Sequence, residues 1–213
     1  MGELLQFPVA RRHAGSPEAA VAAFFFDVAC PLSYLTAERV ERALPGAEWV
    51  PVDSSALASG RENGDELRMR AHAEQRARAL RLPLMWPERY PLRARCARRA
   101  AAFACELGAG PAFALAASRL AFCGGFDLDD PETIAEAAAA AAVPLGACLE
   151  AAGEDWRDDE IGEVSATLRS AGIEQLPAFQ VGSHWLRGED ALGAASAMMV
   201  RGLLAQGPLA PAG

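Results

Sequence analysis

Residues 24–35, Phe24-Phe25-Phe26-Asp27-Val28-Ala29-Cys30-Pro31-Leu32-Ser33-Tyr34-Leu35, decide how this chain folds. The apolar run Val21 to Asp27 (VAAFFFD) is short, rich in phenylalanine and closed by a Cys-Pro step. Length and flanks favour a buried strand over a helix. From Pro31 the period changes: Leu32, Leu35, Val40 and Leu44 return at helical spacing, proline suits a first turn, and Pro45-Gly46 ends the segment. Cys30 therefore stands as the N-cap of a helix, with Pro31 at its first position. The N–H groups of Leu32 and Ser33 have no partner inside the helix and face the sulfur, and the helix dipole adds partial positive charge there. Both effects favour thiolate, the form a nucleophilic or redox cysteine needs. The Ser33 hydroxyl could add a hydrogen bond. The same position equally suits a small, inert N-cap side chain. Ser33 stands where a CxxC pair would have its second cysteine, so this site cannot close that disulfide.

Working outward, Ala47 to Val52 (AEWVPV) reads as a second strand with Pro51 at an edge or end. Ser54 to Gly64 reads as a loop. Helical patterns then run over Asp65–Arg81, Arg93–Leu107, Ala112–Cys123 and Pro131–Ala142, separated by LPLMWPERYP, GAGP and GGFDLDD. A further helix over Asp158–Ala171 stops at Gly172. Ala178–Val181, Gly182-Ser183 and His184–Leu186 form a hairpin pattern, and Glu189–Leu204 a last helix. The order is β-α-β, a helical block, then α-β-β-α. Without the block this is the element order of a thioredoxin fold. The expected architecture is α/β: a thioredoxin-fold domain from residues 20–56 and 155–206, with an all-helical domain inserted over residues 64–150. Leu176-Pro177 precedes the third strand. Trans is the default for such a bond, but in a thioredoxin arrangement this proline is cis and lies against the active-site cysteine. Its preceding backbone groups then offer strand-like pairing to a ligand.

Composition narrows the function. The chain has 213 residues, 52% hydrophobic and 23% charged, with a net charge of −8. All 20 cations are arginine, which excludes lysine Schiff-base and Walker-type chemistry. The acidic balance argues against a nucleic-acid partner. No apolar run is long enough to span a membrane, and the N-terminal segment lacks a secretory apolar core, so the expected location is cytoplasmic. The 5 cysteines are an odd number without CxxC spacing, which argues against a disulfide framework. No metal is expected. Cys96 and Cys105 fall on opposite faces of a helix, and His72 and His184 stand apart. The Asp127, Asp129 and Asp130 cluster lacks the spacing of a calcium loop and is expected to cap the helix at Pro131. Arg89, Arg93, Arg95, Arg98 and Arg99 read as a solvated helix face, with one arginine allowed into a cleft. The matching buried stripe is Cys96, Ala100, Phe103, Ala104 and Leu107. Trp86, with Met85 and Tyr90, suits either the wall of an apolar pocket or a core plug.

FFFDVACPLSYL resembles the F-D-x-x-S/C-P-x-S/C-Y-L opening of the DsbA family. The likeness is strongest to the branch holding 2-hydroxychromene-2-carboxylate isomerase and the kappa-class glutathione transferases. Trp49-Val50-Pro51, Leu82-Pro83 with Tyr90-Pro91, Gly172 to Val181, and Leu186-Arg187-Gly188-Glu189-Asp190 fit that family in order, over roughly residues 22–204. The resemblance implies an active site between a thioredoxin domain and a helical insertion. It also implies a thiol-dependent enzyme using glutathione or another small thiol on a small-molecule substrate, with a homodimer possible. Cys30 and Ser33 would be catalytic. Leu176, ahead of Pro177, would pair with the backbone of the thiol ligand, Asp190 would meet its ammonium group, and Asn63 falls in a loop where the kappa branch places a glutathione-binding asparagine. The chain is a hybrid: Cys30 matches the oxidoreductases, whereas Ser33 matches the isomerases. Val50 and Ala191 stand where the family usually carries arginine. Three functions stay open: a glutathione-dependent isomerase, a monothiol disulfide oxidoreductase working through mixed disulfides, and a redox-silent binding module.

Overall fold

The computed structural model describes residues 22–57 and 65–205. The elements run β1 (Ala22–Phe26), α1 (Pro31–Ala43), β2 (Glu48–Pro51), a single helical turn α2 (Ser54–Leu57), α3 (Asp65–Leu80), α4 (Arg95–Glu106), α5 (Gly110–Gly124), α6 (Pro131–Ala140), α7 (Leu145–Gly153), α8 (Trp156–Ser170), β3 (Ala178–Val181), β4 (His184–Arg187), a 3-10 turn (Glu189–Ala191) and α9 (Leu192–Ala205). The sheet order is β2-β1-β3-β4. β1 is parallel to β2, with Phe24 opposite Trp49, and antiparallel to β3, with Phe24 opposite Phe179. β3 and β4 form the expected hairpin, turned by Gly182 at φ +59. This is a thioredoxin fold carrying a helical insertion between β2 and α8.

Alternation along β1 explains why a run of three phenylalanines is a strand. Phe24 and Phe26 face one core, Phe25 the other, and all three are at most 3% exposed. On the first face Phe24 stacks on Phe26 and Phe179, at centroid distances of 5.7 and 5.4 Å, and meets the edge of Trp49 at 4.8 Å. That face is covered by α1 and α9, and its core runs without a break into the inserted helices. There the packing residues are mostly alanines: Ala97, Ala100, Ala101 and Ala104 of α4, Ala114, Ala117 and Ala121 of α5, and Ala137 and Ala138 of α6 are all buried. The opposite face is smaller. Phe25, Val50, Val52 and Leu57 pack there against Val164, Leu168 and Leu176.

Three expectations need correction. The segment after β2 is not loop throughout, because Ser54–Leu57 makes a helical turn; residues 58–64 lie outside the described part. Leu145–Gly153 is a helix that periodicity missed: it is short, begins after a proline at its N-cap, and is rich in glycine and alanine. The buried stripe of α4 is rotated by about one residue, to Ala97, Ala100, Ala101 and Ala104, and leaves Leu107 51% exposed. The cause is charge pairing. Arg98 and Arg99 turn inward to carboxylates, where a solvated face was expected. The aspartates after α5 behave as expected: Asp130 Oδ1 accepts the Glu132 N–H at 2.9 Å and caps α6. Asp129 Oδ1 also accepts the Cys96 N–H at 2.9 Å, which satisfies the start of α4 from a distant loop.

Candidate active site

β1 ends at Phe26 and α1 begins at Pro31, so Asp27 to Cys30 form the turn between them. The Cys30 N–H donates to the Asp27 carbonyl at 3.0 Å, and the Cys30 carbonyl accepts the Tyr34 N–H at 3.0 Å as the first bond of α1. Cys30 is the N-cap, in extended geometry (φ −102, ψ 118), with Pro31 next. Its Sγ makes no cap hydrogen bond of ordinary geometry, although the N–H groups of Leu32 and Ser33 face it. Sγ lies 4.0 Å from the Leu176 carbonyl oxygen, placed to donate its S–H weakly. The Leu176–Pro177 peptide is cis. Ser33 is buried beneath the turn, and its hydroxyl accepts the Asp27 N–H at 3.3 Å. Cys30, Ser33, Leu176 and Pro177 are thus brought to one end of the sheet.

The electrostatic balance at Cys30 runs against the thiolate that its N-cap position favours. The N–H groups of Leu32 and Ser33 and the Ser33 hydroxyl do favour the charged form, as the sequence suggested. Burial outweighs them, however, and the Asp27 charge adds to it, so the thiol is pushed up from its ordinary value. The Cys30 side chain is half-buried. Desolvation likewise raises Cys96 and Cys148 and pushes Cys105 up to about 12. A thiol held above its unfolded value binds its proton more tightly in the native state. Its stabilising contribution is full below the ordinary value of 9.0 and fades as pH climbs through the raised one. Chemical denaturation at stepped pH should therefore show stability falling from about pH 9 upward, as the linkage relation requires. A flat profile there would contradict these environments.

Beneath the thiol sits a charged hub. Asp27 is 1% exposed, and its carboxylate takes both arms of the Arg98 guanidinium at 3.0 Å. It also accepts the Ala29 N–H at 2.9 Å, the Ser54 N–H at 3.0 Å and the Ser54 hydroxyl at 2.6 Å. Arg98 reaches on to Asp53 at 3.2 Å. The Arg98 charge and these donors outweigh burial and hold the Asp27 carboxyl below its usual range. Arg98 comes from α4, so one ion pair ties the insertion to the thiol turn. Sequence reading missed this pair. The only signal was an aspartate closing an apolar strand, and its partner is 71 residues away.

The Gly188 N–H donates to the Pro177 carbonyl at 2.8 Å, which brings the turn after β4 alongside. There Glu189 is 3% exposed and clamped by Arg39 and by Arg76, the latter at 2.6 Å. Asp190 is largely exposed and pairs with Arg76 at 3.2 Å. Arg39, Arg42, Arg76, Asp190 and Ser196 line a cavity of about 460 Å³. The Trp86 indole N–H donates to Glu74 of α3 at 3.0 Å, while its ring meets Tyr90 and the Arg70 guanidinium. These contacts hold the half-buried Trp86 against α3. Asn63 lies outside the described residues. Among the described residues no group of three or more His, Cys, Asp or Glu could hold a metal, and no helix is long and apolar enough to cross a membrane.

No family model and no curated protein matches the sequence. Solved structures do match the fold. A 2-hydroxychromene-2-carboxylate isomerase superposes with a TM-score of 0.72 at 16% identity, over 87% of this chain and 97% of that one. A Streptomyces coelicolor protein described as a DsbA oxidoreductase gives 0.62 at 18%, covering 91% and 94%. A Nitrosomonas europaea protein described as a disulfide isomerase gives 0.62 at 13%, covering 90% and 100%.

Proposed function

We propose that the chain is a thiol-dependent enzyme of the DsbA type, working as a glutathione-dependent isomerase. The observation that carries this reading is the placement of Cys30, half-buried at the start of α1, with Sγ 4.0 Å from the Leu176 carbonyl oxygen of the cis Leu176–Pro177 peptide. A protonated thiol is a poor nucleophile but a serviceable hydrogen-bond donor. At the position where the isomerase branch carries serine, it can donate to the sulfur of bound glutathione and favour the glutathione thiolate. That thiolate adds to a conjugated carbon of a small aromatic carboxylate, and the electron pair moves onto the carbonyl oxygen. The former double bond then rotates, the pair returns, and the thiolate leaves unchanged. No oxidant or net proton is consumed. Leu176 and Pro177 would align the tripeptide backbone and Asp190 its ammonium group. Trp86 and Asn63 would contribute the outer wall.

The second reading is a monothiol oxidoreductase in which Cys30 itself attacks a disulfide. It is favoured by the partial exposure of Cys30, and with Ser33 in place of a resolving cysteine it needs an external thiol to turn over. One substitution separates the two. With glutathione and a 2-hydroxychromene-type carboxylate as substrate, Cys30→Ser should keep isomerisation within about tenfold of wild type, because the hydroxyl supplies the same donor. Cys30→Ala should lose about 10²–10³-fold, the usual loss for one such donor. Equal loss in both variants, together with a glutathionyl adduct on wild-type Cys30 after exposure to glutathione disulfide, would favour the oxidoreductase.

A further inference from the structure

The thiol turn is built on a charge that a different part of the molecule neutralises. One Asp27 oxygen accepts the Ala29 N–H inside the turn, and the Asp27 N–H is held by Ser33 of α1. The other oxygen takes Ser54 after β2. Both oxygens meet Arg98, which is itself only 12% exposed in its side chain. The charged groups around this end of the sheet are Asp27 in the turn, Asp53 after β2, Arg98 from α4 and, acting on Arg98, Asp129 before α6. The neutral groups facing the sulfur are the Leu32 and Ser33 N–H groups, the Ser33 hydroxyl and the Leu176 carbonyl. We propose that Arg98, reaching from the inserted helices, is a positioning residue for Cys30: by holding Asp27 it fixes the turn that carries the thiol and offsets the carboxylate charge beside the sulfur. Moving α4 relative to the sheet would change how readily Cys30 gives up its proton, so the helical insertion becomes a means of tuning the site. This rests on Cys30 being the working thiol.

The test is the ionisation of Cys30, followed by ultraviolet thiolate absorbance in each variant and corrected by the same variant carrying Cys30→Ser. Asp27→Asn keeps an acceptor oxygen for Ser54 and Arg98 and removes the nearby negative charge. It should lower the Cys30 midpoint by about one pH unit, a tenfold gain in thiolate at fixed pH, within the range expected for a neighbouring charge. Asp27→Asn combined with Arg98→Met removes both charges of the buried pair, an exchange that cores tolerate. Its midpoint should fall between Asp27→Asn and wild type, because the Asp27 charge acts on the sulfur directly whereas Arg98 acts on it through Asp27. Arg98→Met alone should move the midpoint upward. If Asp27→Asn and the double variant are folded by circular dichroism yet titrate at the wild-type midpoint, the pair is merely structural and the proposal fails. A shifted midpoint without any glutathione-dependent isomerisation would sink the functional reading while leaving this one standing.

Discussion

Asp27→Ala is expected to destabilise the protein by about 3–5 kcal/mol, the range measured when one partner of a buried ion pair is deleted. Two losses combine. The Arg98 guanidinium, 12% exposed in its side chain, loses its two-armed partner and keeps the ion pair with Asp53, and the N–H groups of Ala29 and Ser54 lose their acceptor. For a chain of this size that is a fall of about 6–20 °C in melting temperature. The pH dependence of the wild type should carry the same signature. A carboxyl held below its ordinary value of 3.8 stabilises fully above that value and loses its contribution as pH falls through the lowered one. Acid unfolding of Asp27→Asn should be shallower than that of wild type. A melting temperature within about 2 °C of wild type for Asp27→Ala, corresponding to under 1 kcal/mol, would mean that the hub is not holding the turn.

Phe24→Ala should have a loss of similar size, about 3–5 kcal/mol, for a different reason. The ring has no exposed surface and contacts Phe26, Phe179 and Trp49, one partner on its own strand and one on each neighbouring strand. Truncation opens a cavity at the crossing point of β1, β2 and β3, where regular sheet hydrogen bonding prevents collapse. Phe25→Ala, on the smaller face, offers a comparison: Phe25 packs against Trp185, which is only half-buried and can shift to fill space. Denaturant midpoints at constant slope would measure the difference. If Phe25→Ala cost more than Phe24→Ala, the assignment of the principal core to the α1 and α9 face would be wrong.

What the sequence disclosed follows the range of its signals. β1, α1 and the hairpin announce themselves through contiguous patterns: FFF closed by Cys-Pro, leucines at helical spacing, and Gly-Ser between two short apolar runs. Cys30 at the N-cap with Pro31 behind it follows from the same local grammar, as does Asp130 capping α6. The protonation state of Cys30 could not be read that way. It depends on how much water surrounds the sulfur and on Asp27, which is quantitative information about packing. Arg98 was visible as one of five cations but indistinguishable from Arg95, which stays at the surface beside Asp158. Only the tertiary fold decides which arginine of a helix meets a carboxylate 71 positions earlier. The α7 segment was missed because glycine and alanine give no amphipathic contrast.

The alanine seam of α4, α5 and α6 has a consequence for how this protein can change. Methyl groups let helix backbones approach closely and contribute little apolar area per residue, so the seam works through proximity, while the Arg99–Asp158 ion pair ties α4 to α8. Each added carbon at Ala100, Ala117 or Ala137 would act as a wedge, because neighbouring backbones cannot give way as long side chains can. Sequence drift in this layer should then be confined to glycine, serine and alanine at those positions, however freely its outer surface diverges.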